Sequence, residues 1–196
     1  CMFAYLPSFV QKTYASEIVH NDFEVTYEGW HGTDYDIEVT ASDSIGYQNS
    51  RGMLVSGRKT AQDGAEASKG LYLVGDVDYN YSIQVFSRTD EKFYISLTCD
   101  DMDTQESTTT ELVSQNVNAN EWTELKASYK APKNSCEFRI TITTDTTNDF
   151  IFDELNITTE QTEKANAVFA ATSEKGLKDE FADYFRVGNI LNAGWG

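Results

Sequence analysis

The stretch Asn148-Asp149-Phe150-Ile151-Phe152-Asp153-Glu154-Leu155-Asn156-Ile157 decides how the chain is read. Phe150, Phe152 and Leu155 are bulky and follow the turn-prone Thr146-Thr147-Asn148-Asp149, the pattern of a strand entered through a turn. An Asp-Glu pair stands inside this apolar run, and burying a carboxylate is costly unless something positive takes it up. Far away in sequence, His20-Asn21-Asp22-Phe23-Glu24 again sets acids beside an aromatic residue at the start of an expected strand. Two readings fit. In one, the first and last strands lie side by side and close the domain around a cation. In the other, both acids are exposed charges on edge strands, where charge discourages unwanted pairing.

Around this stretch lie 196 residues, enough for one domain with its own core and an extension. A 40% hydrophobic content with 13% aromatics marks a globular chain rather than a disordered one. The net charge of −17, from 32 acids against 15 bases, repels nucleic acid and anionic lipid and suits neutral ligands or metal ions. No apolar run approaches the ~20 residues that span a bilayer. Neither nucleic-acid binding nor membrane insertion is expected. Cys1, Cys99 and Cys136 are odd in number and cannot all pair within the chain. Cys99 and Cys136 sit at expected strand ends, where a bridge and two buried thiols both fit, so the compartment stays open on this ground. The opening Cys1-Met2-Phe3-Ala4-Tyr5-Leu6-Pro7 lacks the basic start and long apolar core of a signal peptide and is expected to be a processed or artificially cut terminus.

From Phe23 to Ile157 the segments are short, rich in Val, Ile, Tyr, Phe and Thr, and separated by polar turns. Strands are expected over 35–41, 53–56, 69–74, 79–88, 92–99, 109–114, 122–129, 137–143 and 150–157. That spacing predicts an all-β, antiparallel β-sandwich or jelly roll. Alternation assigns the faces. Phe93, Ile95, Leu97 and Cys99 face the core and Tyr94, Ser96 and Thr98 face out; Phe138, Ile140 and Ile142 face in and Arg139, Thr141 and Thr143 face out. Tyr81, Ile83 and Val85 form a third inward row. Trp30 and Trp122 both lead from turns into apolar strands and are expected as core plugs, with a sugar platform as the other reading of each ring.

Beyond Ile157 the pattern changes. The stretch 160–185 is rich in Ala, Glu and Lys, with Leu177, Phe181 and Phe185 spaced four apart, which is helical. A C-terminal helical extension is expected there, divided at Gly176, and Arg186-Val187-Gly188-Asn189-Ile190-Leu191-Asn192 reads as a short strand.

Catalytic constellations are hard to find. His20 and His31 fit no spaced metal motif, and no Gly-rich phosphate loop occurs. Asp100-Asp101-Met102-Asp103 lacks the spaced Gly and final Glu of a calcium loop and reads as a solvated turn. Asp153 and Glu154, as neighbours on a strand, are expected to point to opposite faces, which does not give a glycosidase its two facing carboxyl groups.

Taken in order, Asp22-Phe23-Glu24, Gly29-Trp30, Ser56-Gly57-Arg58, Tyr79-Asn80-Tyr81-Ser82, Glu121-Trp122-Thr123-Glu124-Leu125 and Phe150-Ile151-Phe152-Asp153-Glu154 resemble the xylan-binding family 22 carbohydrate-binding modules. These are β-sandwich jelly rolls that commonly precede family 10 xylanase domains. Residues 176–192 look like the first helix and strand of such a domain. The resemblance implies an N-terminal extension over 1–20, a module over 21–158, and a helical linker with the start of a truncated hydrolase domain over 159–196. It implies a secreted or cell-surface modular xylanase, with xylan or another plant cell-wall polysaccharide as partner and no catalytic centre in this chain.

It also implies a structural calcium ion, held by the Glu24 and Asp153 carboxylates and by carbonyls near Asp22 and Gln48. The family's sugar contacts map less well. Its Arg, Trp, Tyr and Glu fall at Thr33, Gln62, Thr109 and Thr143 here, so the usual binding aromatics are missing. The outward patch that remains for a ligand is Tyr94, Arg139, Thr141 and Glu111. A spacer that keeps the fold and the calcium but has lost its ligand is the second reading.

Overall fold

Alternation in three segments builds the interior. Along Asp78–Ser87, the residues Tyr79, Tyr81, Ile83 and Val85 are buried. Along Glu91–Asp101 the buried set is Phe93, Ile95, Leu97 and Cys99, and along Cys136–Thr144 it is Phe138, Ile140 and Ile142. The residues expected between the sheets are there. A side-chain period of two turns the other face of each strand to solvent.

The structure, a computed structural model, describes residues 16–67, 73–132 and 136–161. In chain order the strands are β1 (Ser16–Asn21), β2 (Trp30–Gly32), β3 (Glu38–Ser42), β4 (Gly52–Ser56), β5 (Gly64–Ala67), β6 (Asp78–Ser87), β7 (Glu91–Asp101), β8 (Ser107–Val117), β9 (Thr123–Lys130), β10 (Cys136–Thr144) and β11 (Phe150–Thr159). One sheet has the order β3-β4-β11-β6-β9, with β1 also on β11; the other runs β2-β5-β10-β7-β8. Every pairing is antiparallel, so the fold is the expected all-β sandwich. Among the described residues the one helical element is a 3-10 turn at Tyr47–Asn49. The expected helical extension and the strand after it fall on residues 162–196, outside those described, as does most of the strand expected over 69–74.

The organising strand is β11. On one side it pairs with β6. On the other, Phe150–Phe152 pair with β4, and Leu155 to Thr159 pair with β1. The first described strand and the last lie side by side, but the pairing strand is Ser16–Asn21, mostly within the expected extension, and the strand expected to start at Phe23 is not formed: Asp22 to Gly29 lies between β1 and β2. Between the two partners the register shifts over Asp153 to Asn156, and Glu154 takes φ 51°. This is a β-bulge. Phe152 and Leu155 are both buried, so both acids between them turn away from the core. The expectation that they point to opposite faces fails because the bulge adds a residue and breaks the alternation.

The core is stitched by rings. Phe152 lies 5.4 Å from Phe23 and 4.6 Å from Trp30, centroid to centroid, and Trp30 donates its indole N–H to Asn21 Oδ1 at 3.2 Å. Trp30 is thus a core plug, 4% exposed. Trp122 is not: it is half-buried on the solvent side of the six-stranded sheet, against Phe86 at 5.5 Å and Tyr47 at 5.8 Å. It precedes β9 by one residue, on the phase opposite to core-facing Leu125. Cys99 and Cys136 are bridged, joining the end of β7 to the start of β10.

Candidate functional site

The sheet of β2, β5, β10, β7 and β8 carries the ligand patch expected from sequence. Register places His31, Glu66, Thr141, Ser96 and Glu111 in one row across its outer face. Arg139 lies one outward step along β10 from Thr141, opposite Thr98. Tyr94 lies opposite Thr143, one step in the other direction. Tyr94, Arg139, Thr141 and Glu111 therefore share a face. The positions that stand for the family's sugar contacts gather on the same sheet or at its margin: Thr109 bonds Thr98 side chain to side chain at 2.8 Å, and the Thr33 hydroxyl accepts the Gly64 N–H at 2.9 Å. Tyr94 is the one aromatic side chain among the described outward positions of these strands, and Lys92 Nζ sits 5.2 Å from its ring centroid.

The arginine of this face is already engaged. Arg139 donates from Nε to Asp100 Oδ2 at 2.9 Å and from Nη2 to Oδ1 at 3.3 Å, a two-pronged pair. Its Nη1 stands 3.8 Å from Glu66 Oε2. The Ser107 hydroxyl also donates to Asp100, and with Arg139 it holds the Asp100 carboxyl below the usual range. The bond to Asp100 raises Arg139 in turn. Sequence reasoning found Arg139 but missed Asp100, which it had placed in a solvated turn. The signal was the phase of β7: Asp100 shares the even-numbered face of Tyr94, Ser96 and Thr98.

The acid pair of β11 meets a different environment. Asp153 is 0% exposed and makes no ion pair among the described residues. Its Oδ2 accepts the Tyr47 N–H at 2.8 Å and the Ser50 hydroxyl at 2.7 Å, and its Oδ1 accepts the Glu154 N–H at 2.8 Å. Burial pushes its pKa up against those bonds. The loop that covers it can come this close because Gly46 has no side chain: a Cβ there would stand 2.5 Å from Asp153 Oδ2. The same loop reaches Glu24, whose Oε1 accepts the Arg51 N–H at 3.0 Å. One turn of chain thus ties Glu24 to Asp153. Gln48 lies in it at φ 57°, and the Asp22 carboxylate turns back to the Glu24 N–H at 3.1 Å. Among the described residues, no three His, Cys, Asp or Glu side chains gather as a metal-ligand group.

A family model described as a carbohydrate binding domain matches residues 15–149. Endo-1,4-beta-xylanase Y of Acetivibrio thermocellus is 43% identical over 98% of this chain, which spans 18% of that protein's length. The N-terminal family 22 carbohydrate-binding and family 10 glycoside hydrolase modules of endo-1,4-beta-D-xylanase 10B from Clostridium thermocellum, solved with xylohexaose, are 42% identical with a TM-score of 0.70, over 74% of this chain and 29% of that one. A xylan-binding family 22 domain from Paenibacillus barcinonensis shares the fold, with a TM-score of 0.66 at 16% identity over 73% of this chain and 94% of that one. The match reaches from β1 to the threshold of β11 and so takes in both sheets: the chain belongs to the carbohydrate-binding domains.

Proposed function

We propose that this chain is the non-catalytic carbohydrate-binding module of a secreted or cell-surface modular xylanase, and that it targets plant cell-wall xylan or a related β-glycan. The observation that carries the reading is the shared outer face of Tyr94, Arg139, Thr141 and Glu111 on a family 22 sandwich. A neutral glycan suits a chain of charge −17. Sugar rings in water need an apolar platform as well as hydrogen bonds, and Tyr94 is the ring this face offers. The Cys99–Cys136 bridge supports an oxidising compartment. Electrophoresis through soluble xylan, with calorimetry on xylohexaose, tests the reading. Retardation that weakens in Tyr94→Ala or Arg139→Ala supports it.

A specific observation favours the second reading, a spacer that has lost its ligand. Thr33, Gln62, Thr109 and Thr143 stand where ring and charge contacts are expected, and Arg139 is already paired with Asp100. Unchanged migration in xylan and in other soluble β-glycans is the outcome that selects it.

Calcium belongs to either reading. Asp153 is a buried carboxylate met only by neutral donors, which is the imbalance a bound cation corrects. Its neighbours offer hard oxygen donors in kind: the Glu24 carboxylate and the carbonyls of the adjoining loops at Asp22 and Gln48. We assign these four residues as the calcium-holding set. Since the ion would bind only the folded chain, it would stabilise by ~2.7 kcal/mol when free calcium is a hundredfold above its dissociation constant.

A further inference from the structure

The opposite side of the sandwich has a groove that the glycan reading above does not use, although Glu24 and Gln48 of the calcium-holding set lie along its edge. Its floor is the outer face of β11, β6 and β9, where register aligns Asn156, Ser82 and Lys126 in one row and Thr158, Asn80 and Ser128 in the next. Gln84, opposite Glu124, extends the floor toward the loop of Tyr47 to Ser50, which forms one wall. From Asn80 to Gln84 the floor runs ~13 Å at ~3.3 Å per residue, and the hollow continues past both ends of Ser82.

Two features separate this floor from an ordinary solvated sheet face. Its central groups have unspent hydrogen-bonding capacity although they lie half-buried: among the described residues, neither the Gln84 amide nor the Ser82 hydroxyl has a protein partner. Asn80 spends only its oxygen, on Ser128, and Asn156 only its amide N–H, on the Glu154 carbonyl. The floor also ends against rings. Tyr47 lines the groove, backed edge-on by Trp122, which packs in turn on Phe86. Three aromatic side chains on the solvent side of a sheet are not needed by a core that lies beneath it.

From this juxtaposition we infer a second glycan-binding site on the six-stranded sheet: a neutral β-linked oligosaccharide lies along β6, with one ring against Tyr47 and its hydroxyls on Ser82, Gln84, Asn156 and Glu124. Lys126, the cation of the floor, is paired with Glu124 at 2.8 Å, and Glu154 bonds His20 at 3.0 Å, so the described lining offers an anionic chain no unpaired cation, and the net charge of −17 disfavours one further. Uncharged amides, which offer a donor and an acceptor in one plane, suit the paired hydroxyls of a sugar. The ligand class rests on the family reading, but the site does not depend on Tyr94 or Arg139.

The test titrates isotope-labelled chain with xylohexaose and cellohexaose and follows backbone amide shifts. The expected result is a saturable set at Ser82, Gln84 and Asn156, separate from any set at Ser96 and Thr141. The double variant Tyr47→Ala with Gln84→Ala should weaken the first set roughly fivefold or more while leaving the second. The melting curve shows whether that variant is folded, and Gln84→Ala alone serves if it is not. Shifts confined to the face of Ser96 and Thr141 overturn this inference and leave the family reading standing. Shifts confined to the Gln84 groove support it and overturn Tyr94 as the platform. No shifts with either sugar overturn both. Shifts at Gln84 that track protein concentration instead of sugar make the groove a contact between copies, and the inference falls.

Discussion

The two outer faces of this sandwich handle charge in opposite ways. On the five-stranded sheet, Arg139 and Asp100 stand partly exposed and satisfy each other, and the Asp100 carboxyl is held below its usual range. On the six-stranded sheet, Asp153 is sealed under a loop with neutral donors and its carboxyl is pushed above that range. The first arrangement is complete and adjustable at the surface. The second is incomplete in charge and locked in place. A mutation on the first face should change what the module binds. A mutation at Asp153 should change whether it holds together.

The largest effect expected is at Asp153. Asp153→Ala takes the acceptor from the Tyr47 N–H and the Glu154 N–H and leaves the Ser50 hydroxyl only the Tyr47 carbonyl, a loss of about 2 kcal/mol on chemical denaturation. Chelation should lower the melting temperature of the native chain and leave Asp153→Ala unmoved. Equal melting curves with calcium and with chelator, on metal-stripped protein, would remove the cation from the account of this face.

Next comes the ring of the other face. Tyr94→Ala should weaken xylan binding by ~1 kcal/mol, the scale of one aromatic contact, with little change in melting temperature. Arg139→Ala should cost under ~1 kcal/mol of stability, since its pair with Asp100 is partly exposed. A large stability loss there would show that the two faces are less different than their burial suggests.

Acidity sharpens the contrast, because the two acids titrate with opposite sign. Asp100, its pKa lowered on folding, stabilises above the ordinary carboxylate value and loses that contribution as pH falls through its depressed value. Asp153, its pKa raised on folding, costs stability when ionised; that cost is relieved as pH falls through its raised value and is gone below the ordinary one. Melting temperatures across the carboxylate range, in chelator, should therefore fall less steeply on acidification in Asp100→Asn than in the native chain, and more steeply in Asp153→Asn.

The smallest effect is at His20. Its bond to Glu154 at 3.0 Å raises its pKa, so its contribution is present below the ordinary histidine value and is lost as pH rises through the raised one. The pair is exposed, so the slope should be slight, and Glu154→Gln should flatten it.

What could be read in advance followed from strict alternation. β6, β7 and β10 carry it, and their inward residues are buried; the one outward residue in the middle of β7 that is buried as well is Thr98, covered where it bonds Thr109. That the chain near His20 meets the last strand was legible from acids set among aromatics at both ends of the domain, but the strand expected to start there was not the one that pairs: β1 ends at Asn21 and Asp22 to Gly29 lies outside the sheets. The bulge in β11 was not, because an added residue leaves no mark of its own between Phe152 and Leu155. Three short strands were missed for different reasons. β5 is Gly-Ala-Glu-Ala, with almost no strand preference, and becomes a strand because β2 and β10 flank it. β2 is only Trp30–Gly32. β1 reads Ser-Glu-Ile-Val-His-Asn and draws its order from β11. Trp122 was misplaced because a Trp before an apolar strand serves either side of a sheet equally well, and only the register of β9 decides which.

The pairing of Ser16 with Thr159 has a mechanical consequence. Chain enters and leaves the sandwich at one corner, so a neighbour on either side would be tethered there. A load carried through both tethers would open β1 from β11 one rung at a time, from Ser16 toward Asn21, instead of shearing all rungs together. The bulge would stop the tear before it reached Phe150–Phe152, which are gripped by β4 and β6. Under tension the module would first lengthen by a single strand, lose Asn21's hold on the Trp30 indole, and keep the rest of its two sheets, so that slack would be taken up at this corner before either outer face was disturbed.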